Sequence, residues 1–222
     1  MRSGLIACAF FALAGLSAWA EPQSDAQRLR ACIEKIDSDP EDAYEDGLAW
    51  MSIGAPPAAR HCVALALVGI GHYAEGAARL ETLANDKDAG TIEARGVYLA
   101  QAGNAWILAR NPEAALVALD NAVKLMPTDG ALRTDLGRAY LLLKDLDAAG
   151  REFDAAIELS PGDPDALRYR AKVLLEQGRL EDAWHDVVGS LAQAPDNVES
   201  LLLRGQIREA MRVKGLPDPE QG

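Results

Sequence analysis

The chain has 222 residues, of which 49% are hydrophobic but only 5% aromatic, and its formal net charge is −12. That acidity disfavours non-specific binding to nucleic acid or to anionic membrane surfaces. Alanine- and leucine-rich composition with few aromatics suits packed helices better than a sheet, and the length suffices for one continuous core.

Met1 to Ala20 carries one positive charge at Arg2, an apolar run from Leu5 to Leu16, and Ala18-Trp19-Ala20 just before Glu21. This is the pattern of a secretory signal peptide with an A-x-A site, so cleavage is expected after Ala20. The run is shorter than the roughly 20 apolar residues of a membrane span, and no stable membrane insertion is expected once it is removed. Leu5-Ile6-Ala7-Cys8 resembles a bacterial lipoprotein box but lies too near the start to leave an apolar segment ahead of the cysteine. Lipidation at Cys8 is therefore not expected. Losing the segment removes Arg2 and no acid, which takes the charge from −12 to −13. The bacterial periplasm is the expected location.

Ser24-x-x-Gln27 is a capping-box start, leading into a helix from Ala26 to Ile36. Asp39-Pro40 places a cap before a proline at the first helical position and opens a second helix to about Ile53. Ala58 to Ile70 and Tyr73 to Ala84 form the next pair, with a turn at Gly71. Cys32 and Cys62 fall on the first helices of these two units. In an oxidising compartment an isolated pair reads as a disulfide, the alternative being two buried thiols. Closing that loop would stabilise by roughly 3.5 kcal/mol in the chain-entropy model.

Between Asn85 and Arg95 the register slips by about five residues: Asn85-Asp86-Lys87-Asp88 is a polar turn, and Thr91 caps an extended helix. From Gly96 the pattern becomes regular. Pro127, Pro161 and Pro195 are spaced 34 residues apart. The same step relates Gly103, Gly137 and Ala171; Ala115, Ala149 and Ala183; Leu119, Phe153 and Val187; and Ala122, Ala156 and Ser190. Five columns in one register across three units are an internal repeat. Each unit reads as two helices: a small residue where they cross, a large one beside it, and a proline that ends the second.

These residues resemble the tetratricopeptide repeat, W-x2-L-G-x2-Y, then A-x3-F, then P. Gly130 to Asp163 matches best, with Leu136-Gly137, Tyr140, Ala149, Phe153, Ala156 and Pro161; Arg133 and, in the next unit, Arg170 stand outside the pattern. The resemblance implies an all-α, right-handed superhelical solenoid. About five repeats are expected, at 24–57, 57–90, 96–129, 130–163 and 164–197, with a capping helix at 198–213 and a disordered tail at 214–222.

In such repeats the first helices line a concave groove. By resemblance the groove receives Asn104, Arg138, Leu141, Leu142, Arg168, Tyr169, Lys172 and Leu175. The leucines beside Tyr169 are expected to form an apolar floor for a peptide or partner helix. Arg138, Arg168 and Lys172 are expected to form a basic seat for a carboxylate, the other reading being solubilising surface charge. Repeats that clamp chaperone C-termini need a lysine and an asparagine where this chain has Ala100 and Asp135, which sets that function aside.

Nothing in the sequence points to catalysis. His61, His72 and His185 are scattered over different units without metal-ligand spacing, and there is no glycine-rich phosphate loop or nucleophile elbow. The expectation is a non-enzymatic adaptor or assembly factor of the cell envelope, without cofactor or metal, that binds a protein or peptide. The alternative is a structural subunit held by convex faces and end caps.

Overall fold

A computed structural model describes residues 24–217; the expected signal peptide, Cys8 and residues 218–222 lie outside them. The described residues form eleven helices and no strand. They are α1 (Asp25–Ile36), α2 (Pro40–Met51), α3 (Pro57–Ile70), α4 (Tyr73–Asn85), α5 (Ile92–Leu108), α6 (Pro112–Leu125), α7 (Gly130–Leu142), α8 (Leu146–Leu159), α9 (Pro164–Glu176), α10 (Leu180–Gln193) and α11 (Val198–Val213).

Short polar residues set most helix starts. Ser24 and Gln27 close a reciprocal capping box, while Asp39, Thr91, Asn111, Asp129, Asp145, Asp163 and Asn197 each accept a backbone N–H of the following turn. Pro127, Pro161 and Pro195 each follow the C-cap of a second helix, where no further N–H could continue the ladder. From the second unit on, the turn inside each unit takes a left-handed residue. Gly71 (φ 98°) and Gly178 (φ 77°) supply it freely, whereas Arg110 (φ 57°) and Lys144 (φ 64°) hold it in the same column with a side chain.

Each helix packs on its neighbours in sequence, and the first helices of successive units also meet, α1 on α3, α5 on α7, α7 on α9 and α9 on α11. This is an α-solenoid. Its core is built at the crossing columns, where Phe153, Leu119 and Val187 are fully buried among Ala149, Ala122 and Ala183. A Cβ on Gly137 would lie 2.5 Å from the Phe153 ring, and one on Gly103 would lie 2.4 Å from Leu119. The small column is therefore a steric necessity of helix approach.

Cys32 and Cys62 form a disulfide between α1 and α3, with Cα atoms 6.0 Å apart. The slip between α4 and α5 is held by two arginines. Arg95 donates to the backbone oxygens of Ala84 and Asp86, each at 2.7 Å, and Arg60 pairs with the carboxylates of Asp86 and Asp88. At the C-terminal end, the Leu216 N–H returns to the Met211 carbonyl at 3.0 Å and the Leu216 side chain packs against the last core cluster.

Candidate functional site

The first helices α5, α7 and α9 share one face, and most of the residues expected in the groove are on it. Arg138 Nη1 donates to Asp135 Oδ1 at 2.6 Å and to Asn104 Oδ1 at 3.0 Å; Asn104 Nδ2 donates to Asp135 Oδ2 at 2.6 Å. Three side chains thus close a ring across α5 and α7, with every charge answered inside it. On α9, Arg168 Nη2 donates to Asp165 Oδ1 at 2.7 Å. The Tyr169 ring receives the Arg168 guanidinium at 4.2 Å and that of Arg138 at 5.5 Å, and it stacks on Phe153 with centroids 5.7 Å apart.

This geometry changes the expected basic seat. Arg138 and Arg168 have carboxylate partners in the native chain, and aromatic contact orients both. Lys172 is exposed and, among the described residues, has no ion pair. The cluster of three cations is one available ammonium beside two arginines already in use.

The expected apolar floor loses one of its two α7 leucines. Leu141 is only 6% exposed, because its position on α7 aims it at Ala149, Phe153 and Val173. It belongs to the core and offers nothing to a partner. Leu142 is 50% exposed, and Leu108, one repeat earlier in the same column, is 52% exposed. Leu175 is half-buried against the cluster around Ala171, Leu174 and Leu203. The accessible apolar residues of this face are therefore Leu108 and Leu142, while α9 contributes the half-buried Tyr169 and the exposed Lys172.

Sequence reading missed what answers the two out-of-pattern arginines. Arg133 pairs with Glu152 at 2.9 Å. Arg170 forks onto Asp186 at 2.6 and 2.8 Å and reaches Asp154 at 2.8 Å, while the Asp186 side chain is only 3% exposed. These hydrogen bonds, that to Asp186 foremost, hold the Arg170 pKa above the ordinary arginine value. The signal was available: an acid stands one residue before the large apolar residue in both α8 and α10. A cavity of about 530 Å³ lies beside this pair, with Asp147, Arg151, Arg179 and Asp182 on its wall. Arg179 and Asp182 pair with each other at 2.5 Å.

His61 is buried, with Nε2 2.6 Å from Gln101 Oε1 and its ring edge-on to Tyr98 at 4.7 Å. Burial pushes its pKa below the ordinary histidine value, against the opposing effect of the Gln101 hydrogen bond. It joins α3 to α5 across the slip. Among the described residues no group of His, Cys, Asp and Glu could hold a metal ion, and no helix is long and apolar enough to cross a membrane.

Fold and face together define a helical-repeat interaction scaffold. The sequence matches the tetratricopeptide repeat over residues 108–164 and again over 152–185. Residues 108–185 therefore carry tetratricopeptide repeats. No curated protein matches it in sequence. Among solved structures it is similar to MamA from Desulfovibrio magneticus RS-1, residue 41 to the end (TM-score 0.63, 15% identity, covering 79% of this chain and 98% of that one). It is also similar to YrrB, described as a TPR protein with an unusual peptide-binding site (0.61, 19%, 82% and 92%). A third is the first TPR of Spaghetti (RPAP3), bound to the HSP90 peptide SRMEEVD (0.51, 22%, 53% and 93%). At these identities the likeness concerns the fold.

Proposed function

We propose that this protein is a non-enzymatic adaptor or assembly factor of the bacterial cell envelope that binds a peptide or partner protein on the face of α5, α7 and α9. The observation that carries this reading is the exposed Leu108–Leu142 pair, in register one repeat apart, on a face to which α9 adds the Tyr169 ring and Lys172, exposed and without an ion pair among the described residues. A segment presenting apolar side chains to the leucines and a carboxylate to Lys172 fits that face. Peptide complexes of similar folds, such as that of the Spaghetti repeat, support it. The chaperone-type clamp finds no support, since Ala100 and Asp135 stand where it needs a lysine and an asparagine, and Asp135 is tied to Arg138 and Asn104.

Export is part of the same proposal. The Cys32–Cys62 disulfide fits an oxidising compartment. Cell fractionation with an antibody against the chain tests it, and recovery in the cytoplasm with both thiols free would overturn it.

The binding test is a pull-down from envelope extract with the wild-type chain and with the triple variant Leu108→Glu, Leu142→Glu, Lys172→Glu. All three positions are exposed, so the core is left intact. A partner identified by mass spectrometry and lost with the variant supports this face. If both proteins capture the same partner equally, the site lies elsewhere. The structural-subunit reading then leads, and it has one observation in its favour, the apolar outer face of α11.

A further inference from the structure

Helix α11 occupies the place of a first helix with no second helix on it among the described residues. Inward it behaves as a cap: Ser200, Leu203, Ile207 and Met211 are buried against α9 and α10. Outward it does so only in part: a solenoid end normally turns a polar face to water, and here apolar residues stand beside the exposed Glu209–Arg212 ion pair. Val198 is 64% exposed, Leu202 63% and Val213 71%.

The repeat supplies a template for what this outer face is built to receive. Leu201 stands one repeat after Leu167, which α10 helps to cover to 9% exposure; Leu201 is 39% exposed. Gly205 stands in the column of Gly137 and Ala171. A Cβ at Gly137 would collide with Phe153 of α8, yet a Cβ at Gly205 would meet nothing within 4 Å. Shallow depressions flank Gly205 on both sides, one reaching Met211 and Leu216, the other Leu202 and Val213. Leu201 and Gly205 thus form a socket for a large apolar side chain.

Charge adds a second, independent requirement. Arg204 stands one repeat after Arg170, whose guanidinium is held by Asp186 of α10 and Asp154 of α8. On α10 the position equivalent to Asp154 is Val188. Arg204 is half-buried and has no ion-pair partner among the described residues. The remaining partner in the template is the acid just before the large apolar residue, as in Glu152-Phe153 and Asp186-Val187.

We propose that the outer face of α11 is a docking seat for an amphipathic helix of a partner protein carrying the order small, x, x, acid, large apolar, x, x, small. The large residue enters at Gly205, the small ones allow close approach, and the acid pairs with Arg204. This seat is separate from the face of α5, α7 and α9, and either can fail without the other.

The test uses the isotope-labelled chain and a lactam-stapled peptide of the α10 sequence, Leu180–Gln193, followed by amide chemical shifts. Saturable shifts confined to α11 are expected. A peptide with Asp186→Lys should bind about tenfold more weakly, the scale of one charged hydrogen bond. The chain variant Gly205→Leu fills its own socket from a Cβ that meets no atom within 4 Å, so its spectrum should stay folded and lose the peptide shifts. An Arg204→Glu chain should prefer the lysine peptide. The proposal is overturned by shifts on other helices, by equal binding of the two peptides, by undiminished binding to Gly205→Leu, or by no shift at millimolar peptide. Dimerisation of the wild type that Gly205→Leu abolishes would also overturn it, by assigning the seat to a second copy.

Discussion

Gly137→Ala and Gly205→Ala make the same chemical change in the same column of two first helices, and the structure gives them opposite signs. Alanine in place of a mid-helix glycine contributes about 1 kcal/mol of helix propensity at either site. At Gly137 the new methyl would sit 2.5 Å from Phe153 Cε1, with Cδ1 at 2.8 Å and Cζ at 2.9 Å, whereas carbon atoms pack at about 3.5–4.0 Å. The ring has to retreat by about 1 Å. It has nowhere to go, being fully buried and stacked on Tyr169. Overpacking of this kind costs about 1–3 kcal/mol, and a ring confined on both faces belongs at the upper end. Gly137→Ala should therefore lose about 2 kcal/mol net. Gly205→Ala meets no atom and should gain about 1 kcal/mol. Urea unfolding of both variants with the disulfide intact, followed by far-ultraviolet circular dichroism, measures the difference. A Gly137→Ala protein as stable as wild type would refute the steric reading of the small column.

Three further outcomes are expected. Reducing the disulfide, or replacing Cys32 and Cys62 by serine, should cost about 3.5 kcal/mol for the 30-residue separation, and hydrogen exchange should locate the loss first in α1. Arg170→Ala leaves Asp186 buried without its partner and should cost about 3–5 kcal/mol in chemical denaturation, while the double variant Arg170→Met, Asp186→Ala should recover much of that. His61 is held neutral by burial, so its folded pKa lies below its unfolded one. The unfolded chain takes up the proton first as pH falls. Stability should be level above about pH 7 and decline below the ordinary histidine value of about 6.5, and His61→Gln should flatten that slope.

The regular half of the fold was legible because its constraints are local and repeated. Pro127, Pro161 and Pro195 mark helix ends by an absent N–H, and Asp129, Asp145 and Asp163 mark starts by a carboxylate three residues from its donor. The candidate face was legible only in outline. Periodicity places Leu141 and Leu142 near a groove, but the rotation that buries one against Phe153 and bares the other depends on where α8 crosses. Nor does sequence show that Arg138 is already engaged, because Asn104 lies 34 residues away on another helix. The slip between α4 and α5 was visible as a loss of register. What holds it, Arg60 and Arg95 reaching across, rests on contacts between separate elements.

The disulfide gives the array a direction. In a stack where each unit leans only on its neighbours, opening can in principle start at either end and travel inward. Here α1 cannot leave without carrying α3, because a covalent bond joins them past α2. At the opposite end α11 is held by side-chain packing, and no other helix among the described residues covers its outer surface. Opening therefore runs as a zipper from the C-terminal helix toward the staple. A ligand helix lying on α11 would act as the slider's stop, protecting every unit behind it although it touches only the last.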